Sequence, residues 1–391
     1  MRVLSFGHIP TYVGGKQSSG LANVIYQLAF YGAKQEDVEM TLAATDVFVP
    51  VLKKEELTIL GWTRKLLVCH ALLHIGATIR IIVNTIKSKK KYSASVSIPS
   101  LFLKSVFLDY AIRKVRPDVI HLHGANSILY YPLLPSELKL VVTLHGDIGK
   151  DENLPHHEIY AKMEREVCLS NRIDMLCTIS TSLTEIFENM YGEIRPKHRV
   201  ILNAYDDIVY KYTEPRKQNK LTLCTIASFS KLKGQERVIE ALLKSHCDYG
   251  YRCVGYISDS DKDMLEKKAR GVDFQWLGVK KPTEIREILA ECDYMILPSS
   301  SEGFGLVYLE AIACGVPVII PKNLPLALEG DILNKDNAIR INGCSAEAIE
   351  EVLPSLPKRE WNRKEVSQSI ISYTWDNIAK EYRNIYSSLI K

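Results

Sequence analysis

Short apolar runs alternate with amphipathic, helix-like stretches along this chain in two successive series. The first series runs from residue 3 to residue 202, the polar residues 206–220 follow, and the second series starts at residue 221. Strands that alternate with helices are typical of open sheets of parallel strands. The sequence therefore predicts an α/β fold with two Rossmann-like lobes, a linker at residues 206–220, and ligands bound at the carboxyl ends of the strands.

Length and cysteine content agree with a two-lobed cytoplasmic protein. A chain of 391 residues exceeds what one hydrophobic core usually organises, so we expect two domains. The nine cysteines lack the spacing of metal ligands, which favours reduced thiols in the cytoplasm. The chain starts in an apolar strand without the pattern of a secretory signal. It has no uninterrupted apolar run of about 18 residues, so we expect no membrane-spanning helix.

The segment 298–317 has the features of an anion site. An apolar strand ends at Pro298, and Gly303 and Gly305 allow a backbone to approach a ligand closely. A helix is predicted to begin near Leu306 and to stop at Gly315. Its first amides and the positive end of its dipole would bind a diphosphate.

Two carboxylates flank this helix start, Glu302 on the loop and Glu310 within the helix. Carboxylates accept paired hydrogen bonds from vicinal hydroxyl groups. Glu310 is therefore expected to hold a ribose, and Glu302 a sugar on the other side of the phosphates. Each residue taken alone also fits an ordinary surface carboxylate. Together they predict a nucleotide-sugar site.

Seven residues lie between Glu302 and Glu310. This spacing resembles the signature of family-4 retaining glycosyltransferases, also called glycosyl transferases group 1. Other segments fall in the family's order: Gly14-Gly15, 118–123, 141–146, Lys233-Gly234 and 373–379. The resemblance implies the GT-B fold, in which two Rossmann-like lobes with parallel sheets face each other across a cleft. It also implies an acceptor-binding lobe at residues 1–205, a nucleotide-sugar-binding lobe at 221–372, and a last helix at 373–391 that returns to the first lobe.

The same resemblance implies roles for particular residues. His145 would lie near the transferred sugar, and Lys233 would neutralise charge on the donor diphosphate, as positive charge there stabilises the leaving group. With Glu302 these are the expected catalytic residues. A structural histidine and a surface lysine are the alternatives.

Further donor contacts are expected from the glycine loop and from three other places in the chain. The family usually has an arginine five residues before the lysine, where this chain has Ser228, which lacks a guanidinium fork. Val279 would meet the nucleobase through its backbone. The remaining expected contacts are Gly14, Gly15, Gly303, Phe304, Gly305 and Leu306. Gly14 and Gly15 also fit a simple tight turn.

The expected reaction is retaining transfer of a hexose from a UDP- or GDP-linked sugar to a hydroxyl acceptor, with no protein nucleophile. We expect no cofactor and no metal, because no Asp-x-Asp stands at a strand end, and residues 259–261 are interpreted as a polar turn. Two alternatives stay open: another GT-B chemistry, such as a sugar-nucleotide epimerase or a phosphorylase, and a degenerate binding subunit, which Ser228 motivates.

A basic amphipathic segment lies in the first half of the chain. Residues 51–91 contain nine Lys/Arg and two acidic residues. Such a segment can contact the anionic headgroups of a membrane, or form a core helix followed by a solvated loop. Membrane contact favours a lipid-linked acceptor in the assembly of a surface polysaccharide or lipopolysaccharide. We expect no nucleic-acid partner.

Overall fold

The computed structural model describes residues 1–17, 19–93, 96–150, 156–216, 219–330 and 332–391. Two compact units divide the chain: Met1–Asn203 with Trp375–Lys391, and Ala204–Thr374. The described part of the predicted linker belongs to the second unit. Its residues 217 and 218 lie outside the described residues.

The first unit contains an eight-stranded sheet. Its strands β1 to β8 are Arg2–Gly7, Glu39–Ala44, Val51–Lys54, Leu57–Leu60, Val119–His123, Lys139–Leu144, Met175–Thr178 and His198–Val200. They lie side by side in the order β3, β4, β2, β1, β5, β6, β7, β8. Neighbours are parallel except β3 and β4, which are antiparallel. The central strands β5 and β6 are buried along almost their whole length, as expected for a parallel sheet covered by helices.

In the described part of the first unit, six α-helices connect these strands. Helices α1 to α6 are Gly20–Ala33, Arg64–Leu73, Ile75–Tyr92, Ile98–Val115, His157–Cys168 and Thr181–Tyr191. Serines cap two of them: Oγ of Ser19 accepts from the Ala22 N–H at 3.3 Å, and Oγ of Ser180 accepts from the Leu183 N–H at 3.0 Å. Each cap satisfies an amide that the helix itself leaves without a partner. These caps explain why α1 and α6 begin directly after the loops that leave the sheet.

The second unit contains a six-stranded parallel sheet. Its strands β9 to β14 are Thr222–Ile226, Gly250–Val254, Asp273–Trp276, Tyr294–Ile296, Val318–Pro321 and Ala338–Ile341. They lie in the order β11, β10, β9, β12, β13, β14. Helices α7 to α13 are Gln235–Ser245, Asp259–Lys268, Pro282–Ala290, Leu306–Ala313, Pro325–Leu328, Ala346–Glu350 and Arg363–Gln368.

The interpretation of residues 259–261 as a polar turn is wrong, because they form the first turn of α8. Oγ of Ser258 caps this helix by accepting from the Asp261 N–H at 3.2 Å. Acidic side chains in a first turn are favoured by the helix dipole, so the polar composition marks a helix start here.

The last helix, α14 (Trp375–Ile390), belongs to the first unit. The Tyr386 hydroxyl lies 2.7 Å from Nδ1 of His121 on β5, and Nε2 of Gln35 donates to Asp376 at 3.0 Å. Trp375 is only 2% exposed. The predicted return of the C-terminal helix is confirmed, as is the fold class of two Rossmann-like α/β lobes.

No single helix among the described residues has both the length and the apolar composition needed to cross a membrane. Helices α2 and α3 reach that threshold only as a pair, and they meet at a bend of 109°.

Candidate functional site

The predicted donor residues of the second unit lie at a reversal of strand order. Strand β9 lies beside β12, and the chain continues from β9 to one side of the sheet and from β12 to the other. Open α/β sheets bind ligands at such a reversal, outside the carboxyl ends of the two strands. The loop after β9 carries Ser228 and Lys233, and the loop after β12 carries residues 302–305.

Lys233 and Glu302 join these two loops. Nζ of Lys233 donates to Oε1 of Glu302 at 2.7 Å, and the two side chains are 30% and 10% exposed. The N–H of Ser300 donates to the carbonyl of Leu232 at 2.9 Å, which holds the same loops together through the backbone. An ammonium group has three donors, so Lys233 keeps donors for an anionic oxygen while it contacts Glu302.

Arg237, in the first turn of α7, braces both loops. Its guanidinium donates to the carbonyls of Lys231, Leu232 and Pro298 at 2.8, 3.1 and 2.7 Å. Ser228 contributes its carbonyl, which accepts from Nε2 of Gln235 at 3.3 Å. Both terminal nitrogens of Arg237 therefore donate to backbone carbonyls, and this arginine holds the loops after β9 and β12 together.

The loop enters α10 through a glycine that no other residue replaces easily. Gly305 is the residue that precedes the helix, with φ 88° and ψ 54°. A Cβ there would lie 2.7 Å from the ring of Tyr308. Phe304 is 3% exposed and anchors the loop, and the helix begins at Leu306 as the sequence predicts. No side chain caps this helix in the described part of the chain, so its first amides face the loop at the positive end of the dipole.

Glu310 lies one turn further along α10 and is 8% exposed. Burial raises the pKa of Glu310 to about 7, the hydrogen bond from the Tyr210 side chain acts in the opposite direction, and the charge of Asp206 raises the pKa further. A carboxylate in this position accepts hydroxyl donors, and the Tyr210 hydroxyl is one already. The surface-residue alternative for Glu310 is wrong because the side chain is buried.

Val279 lies beyond the carboxyl end of β11 in the same sheet and is 67% exposed. It follows Gly278, whose carbonyl accepts from the N–H of Gly255 at 3.0 Å. The hydrogen bond fixes the backbone just before Val279, while its own side chain points to solvent. This geometry suits a contact made through backbone groups.

In the first unit, Gly14 and Gly15 follow β1 in a tight turn. The N–H groups of Gly14 and Gly15 donate to the carbonyls of Thr11 and Pro10, each at 3.1 Å. A Cβ at Gly15 would lie 2.0 Å from the carbonyl oxygen of Ile9, so only glycine fits. Asp46 fixes the turn from outside by accepting from the Lys16 N–H at 2.8 Å. The structure shows a tight turn at these two glycines, and a ligand contact there stays a prediction.

His145 belongs to a row of three imidazoles near the carboxyl ends of β5 and β6, of which His121 is buried and His123 and His145 are half-buried. Its Nε2 lies 3.1 Å from Nδ1 of His123, and Nε2 of His123 lies 3.2 Å from Oγ of Ser5. His121 contacts Oγ1 of Thr143 at 2.7 Å. Burial lowers the pKa of His121 and of His145 to about 3, and holds the pKa of His123 well below its ordinary value. All three rings are therefore neutral at pH 7.

Nδ1 of His145 is buried and has no hydrogen-bond partner among the described residues. A buried imidazole nitrogen without a partner costs free energy, which a bound hydroxyl group would recover. His145 is thus placed as a residue that can donate to, or accept from, a ligand while His123 holds its other nitrogen.

The sequence indicated no site role for Tyr210 or Asp206, and it did not predict the contact of His123 with His145. Tyr210 and Asp206 stand in the interval interpreted as a linker, where an aromatic residue in a polar stretch is the signal that was available. The contact of His123 with His145 follows from adjacent strands, since His123 is paired in register with Thr143, two residues before His145. The structure brings Lys233 together with Glu302, and it places His145, Gly14 and Gly15 in the first unit.

Two family models match the chain, one on each unit. The model for "Glycosyltransferase Family 4" matches residues 19–207, and the model for "Glycosyl transferases group 1" matches residues 210–370. Together they span both Rossmann-like lobes.

The individual proteins that this chain resembles are distant from it in sequence. The N-acetyl-alpha-D-glucosaminyl L-malate synthase of Bacillus anthracis is 25% identical, with 70% of this chain and 75% of that protein covered. The O-antigen biosynthesis glycosyltransferase WclY of Escherichia coli is 25% identical over 71% of this chain and 80% of its own length. The crystal structure of Anabaena Alr3699/HepE in complex with UDP and glucose is 17% identical, with a TM-score of 0.68 over 99% of this chain and 100% of that chain.

Proposed function

This chain is a GT-B glycosyltransferase of the family 4 and group 1 type, and from that premise we propose that it transfers a hexose, with retention of anomeric configuration, from a UDP- or GDP-linked sugar to a hydroxyl acceptor. The observation that carries the proposal is the contact of Lys233 with Glu302 at the amino end of α10. It sets a cation and a carboxylate beside the first turn of this helix, and a diphosphate joined to a sugar requires such groups.

The donor sits with its diphosphate on the amides at the start of α10 and on Lys233. Glu302 accepts from hydroxyls of the transferred sugar, and Glu310 from those of the ribose. Ser228, Gly303 to Leu306 and the backbone of Val279 complete the donor contacts that the second unit supplies, and Gly14 and Gly15 stay predicted donor contacts of the first unit. The ligand UDP in the Anabaena structure supports a uridine donor in particular.

In the chemical step, the bond between the sugar's anomeric carbon and the phosphate oxygen breaks, and the acceptor oxygen bonds to that carbon on the same face. The acceptor's proton moves to the departing phosphate oxygen. Lys233 and the helix end stabilise the charge that develops on the diphosphate, so the proposal invokes no metal and no protein nucleophile. Neutral His145 orients a sugar hydroxyl through its Nδ1 atom, which has no hydrogen-bond partner among the described residues.

We further propose that the acceptor is a lipid-linked saccharide or a precursor of a surface polysaccharide or lipopolysaccharide. The relative named for O-antigen biosynthesis supports this acceptor class. We place the reaction in the cytoplasm, which the nine free thiols support.

The experiment begins with thermal-shift screening of UDP and GDP sugars, followed by nucleotide release measured with and without a panel of saccharide acceptors. Release that needs an acceptor supports transfer. Conversion of the donor without acceptor points to an epimerase. Donor binding with no chemistry across the panel points to a binding subunit, and no nucleotide-sugar binding at all contradicts the proposal.

A further inference from the structure

Helix α3 has an apolar outer face and a partly polar inner face, the reverse of a helix that packs on a core. Its exposed aliphatic side chains are 43% to 62% exposed and recur every three or four residues, at Ile75, Ile79, Ile82, Val83 and Ile86. The buried residues on the opposite side include three polar ones, Asn84, Thr85 and Ser88. This periodicity puts the apolar stripe on the side away from the rest of the unit.

The stripe continues onto α2. Val68, Leu72 and Leu73 are 58%, 68% and 78% exposed. Eight large aliphatic side chains therefore reach solvent between residues 68 and 86. Single exposed aliphatic residues are ordinary on protein surfaces, but a concentration of this kind marks a contact surface. We call these eight residues the docking face.

The charged side chains of α2 and α3, the two helices that carry the docking face, are all positive. Residues 64–92 contain seven Lys/Arg and no Asp or Glu. Arg80, Lys87 and Lys91 recur seven and four residues apart, so they follow one edge of the stripe. They line a surface groove of about 380 Å³. The acidic side chain Glu166 also lines the groove, and it pairs with Lys91.

We propose that the docking face binds the surface of an anionic phospholipid membrane. The aliphatic stripe enters the boundary between headgroups and acyl chains, and Arg80 and Lys87 contact headgroup phosphates at its edge. Membrane binding by this face does not require the proposed transfer reaction. If both hold, the face brings the enzyme to the bilayer that carries its acceptor.

Two features favour a membrane over a second copy of this chain. The face consists of Ile, Val and Leu, whereas cores of protein interfaces are enriched in aromatic residues, Met and Arg. A symmetric dimer through the face would also bring two copies of the same basic edge together, and like charges repel. An anionic membrane offers headgroups of opposite charge to the basic edge, and acyl chains below them that the aliphatic side chains can contact.

The test is co-sedimentation of the full chain with vesicles of phosphatidylcholine, with and without phosphatidylglycerol. We expect binding only to the anionic vesicles, weakened by salt. The variant Ile79→Glu/Ile82→Glu/Ile86→Glu should bind about a hundredfold more weakly or not at all. Arg80→Gln/Lys87→Gln should bind about 25-fold more weakly, since each basic residue near the surface is worth about fivefold.

The matched control is Leu328→Glu/Ile371→Glu, which changes two aliphatic residues of the second unit that are 58% and 68% exposed. It should bind as the wild type does. Absence of anionic-vesicle binding, or equal binding by the triple variant and the control, overturns the proposal. So does a self-associating wild type that the triple variant makes monomeric, because the face is then an interface between copies. The measurement needs no turnover, so failed transfer activity leaves its result intact.

Discussion

Nζ of Lys233 lies 2.7 Å from Oε1 of Glu302, although the two residues are 69 positions apart in sequence. The contact joins the loops after β9 and β12 at the reversal of strand order. Because Glu302 holds one of the ammonium group's donors and sets a negative charge beside it, the carboxylate competes with a diphosphate for Lys233. Lys233 should therefore raise the affinity for a nucleotide, and Glu302 should lower it.

Glu302→Gln removes that competing charge and weakens the contact to the transferred sugar. We expect the affinity for free UDP or GDP to rise severalfold, while kcat for transfer falls by about a hundredfold. Calorimetry gives the affinity, and acceptor-dependent nucleotide release gives kcat. Glu266→Gln, on the exposed α8, should change neither quantity. If Glu302→Gln keeps the wild-type kcat, Glu302 does not belong to the catalytic site.

Glu310 predicts a pH dependence of stability. Its pKa is about 7 in the folded protein, against an unperturbed 4.5. The folded state therefore binds more protons than the unfolded state between these values, and the free energy of unfolding falls as pH rises through this window. In Glu310→Gln this contribution is absent, so the stability of the variant relative to the wild type should rise by about 3 kcal/mol from pH 4.5 to pH 8.

Urea unfolding of both proteins at several pH values measures the difference. Groups common to both, among them Glu164 with its own raised pKa, cancel in the comparison. A difference that stays constant across the window would show that the carboxyl group of Glu310 titrates normally.

His123 is predicted to be a positioning residue for His145. His123→Leu removes the contact at Nε2 of His145, so the ring loses its orientation and kcat should fall by tenfold to about a hundredfold. The KM for donor should stay near the wild-type value. His123→Asn keeps a polar atom near the position of Nδ1 and should recover part of the activity. If kcat falls equally in His123→Asn and His123→Leu, His123 acts through packing and not through its hydrogen bond to His145.

Much of the fold could be predicted from the sequence, because buried strands and amphipathic helices have distinct periodicities. The helix Leu306–Ala313 and the residues Glu302 and Lys233 follow from strand, glycine and charge order along the chain. The hydrogen bond between Tyr210 and Glu310 could not be predicted, because the two residues are 100 positions apart and Tyr210 lies in a segment whose composition indicates a linker. The role of helix α3 could not be decided from the sequence for another reason. The periodicity shows that the helix has an apolar stripe, but it does not show whether that stripe is buried or exposed.

The most direct test of the donor site is calorimetric titration of UDP and GDP into the wild type and Lys233→Met at two salt concentrations. Lys267→Met, at an exposed lysine of α8, is the control. We predict that Lys233→Met binds the preferred nucleotide at least about tenfold more weakly and with less salt dependence, because a charge-assisted contact to phosphate is lost. Equal affinities of Lys233→Met and the wild type would contradict a diphosphate at the amino end of α10.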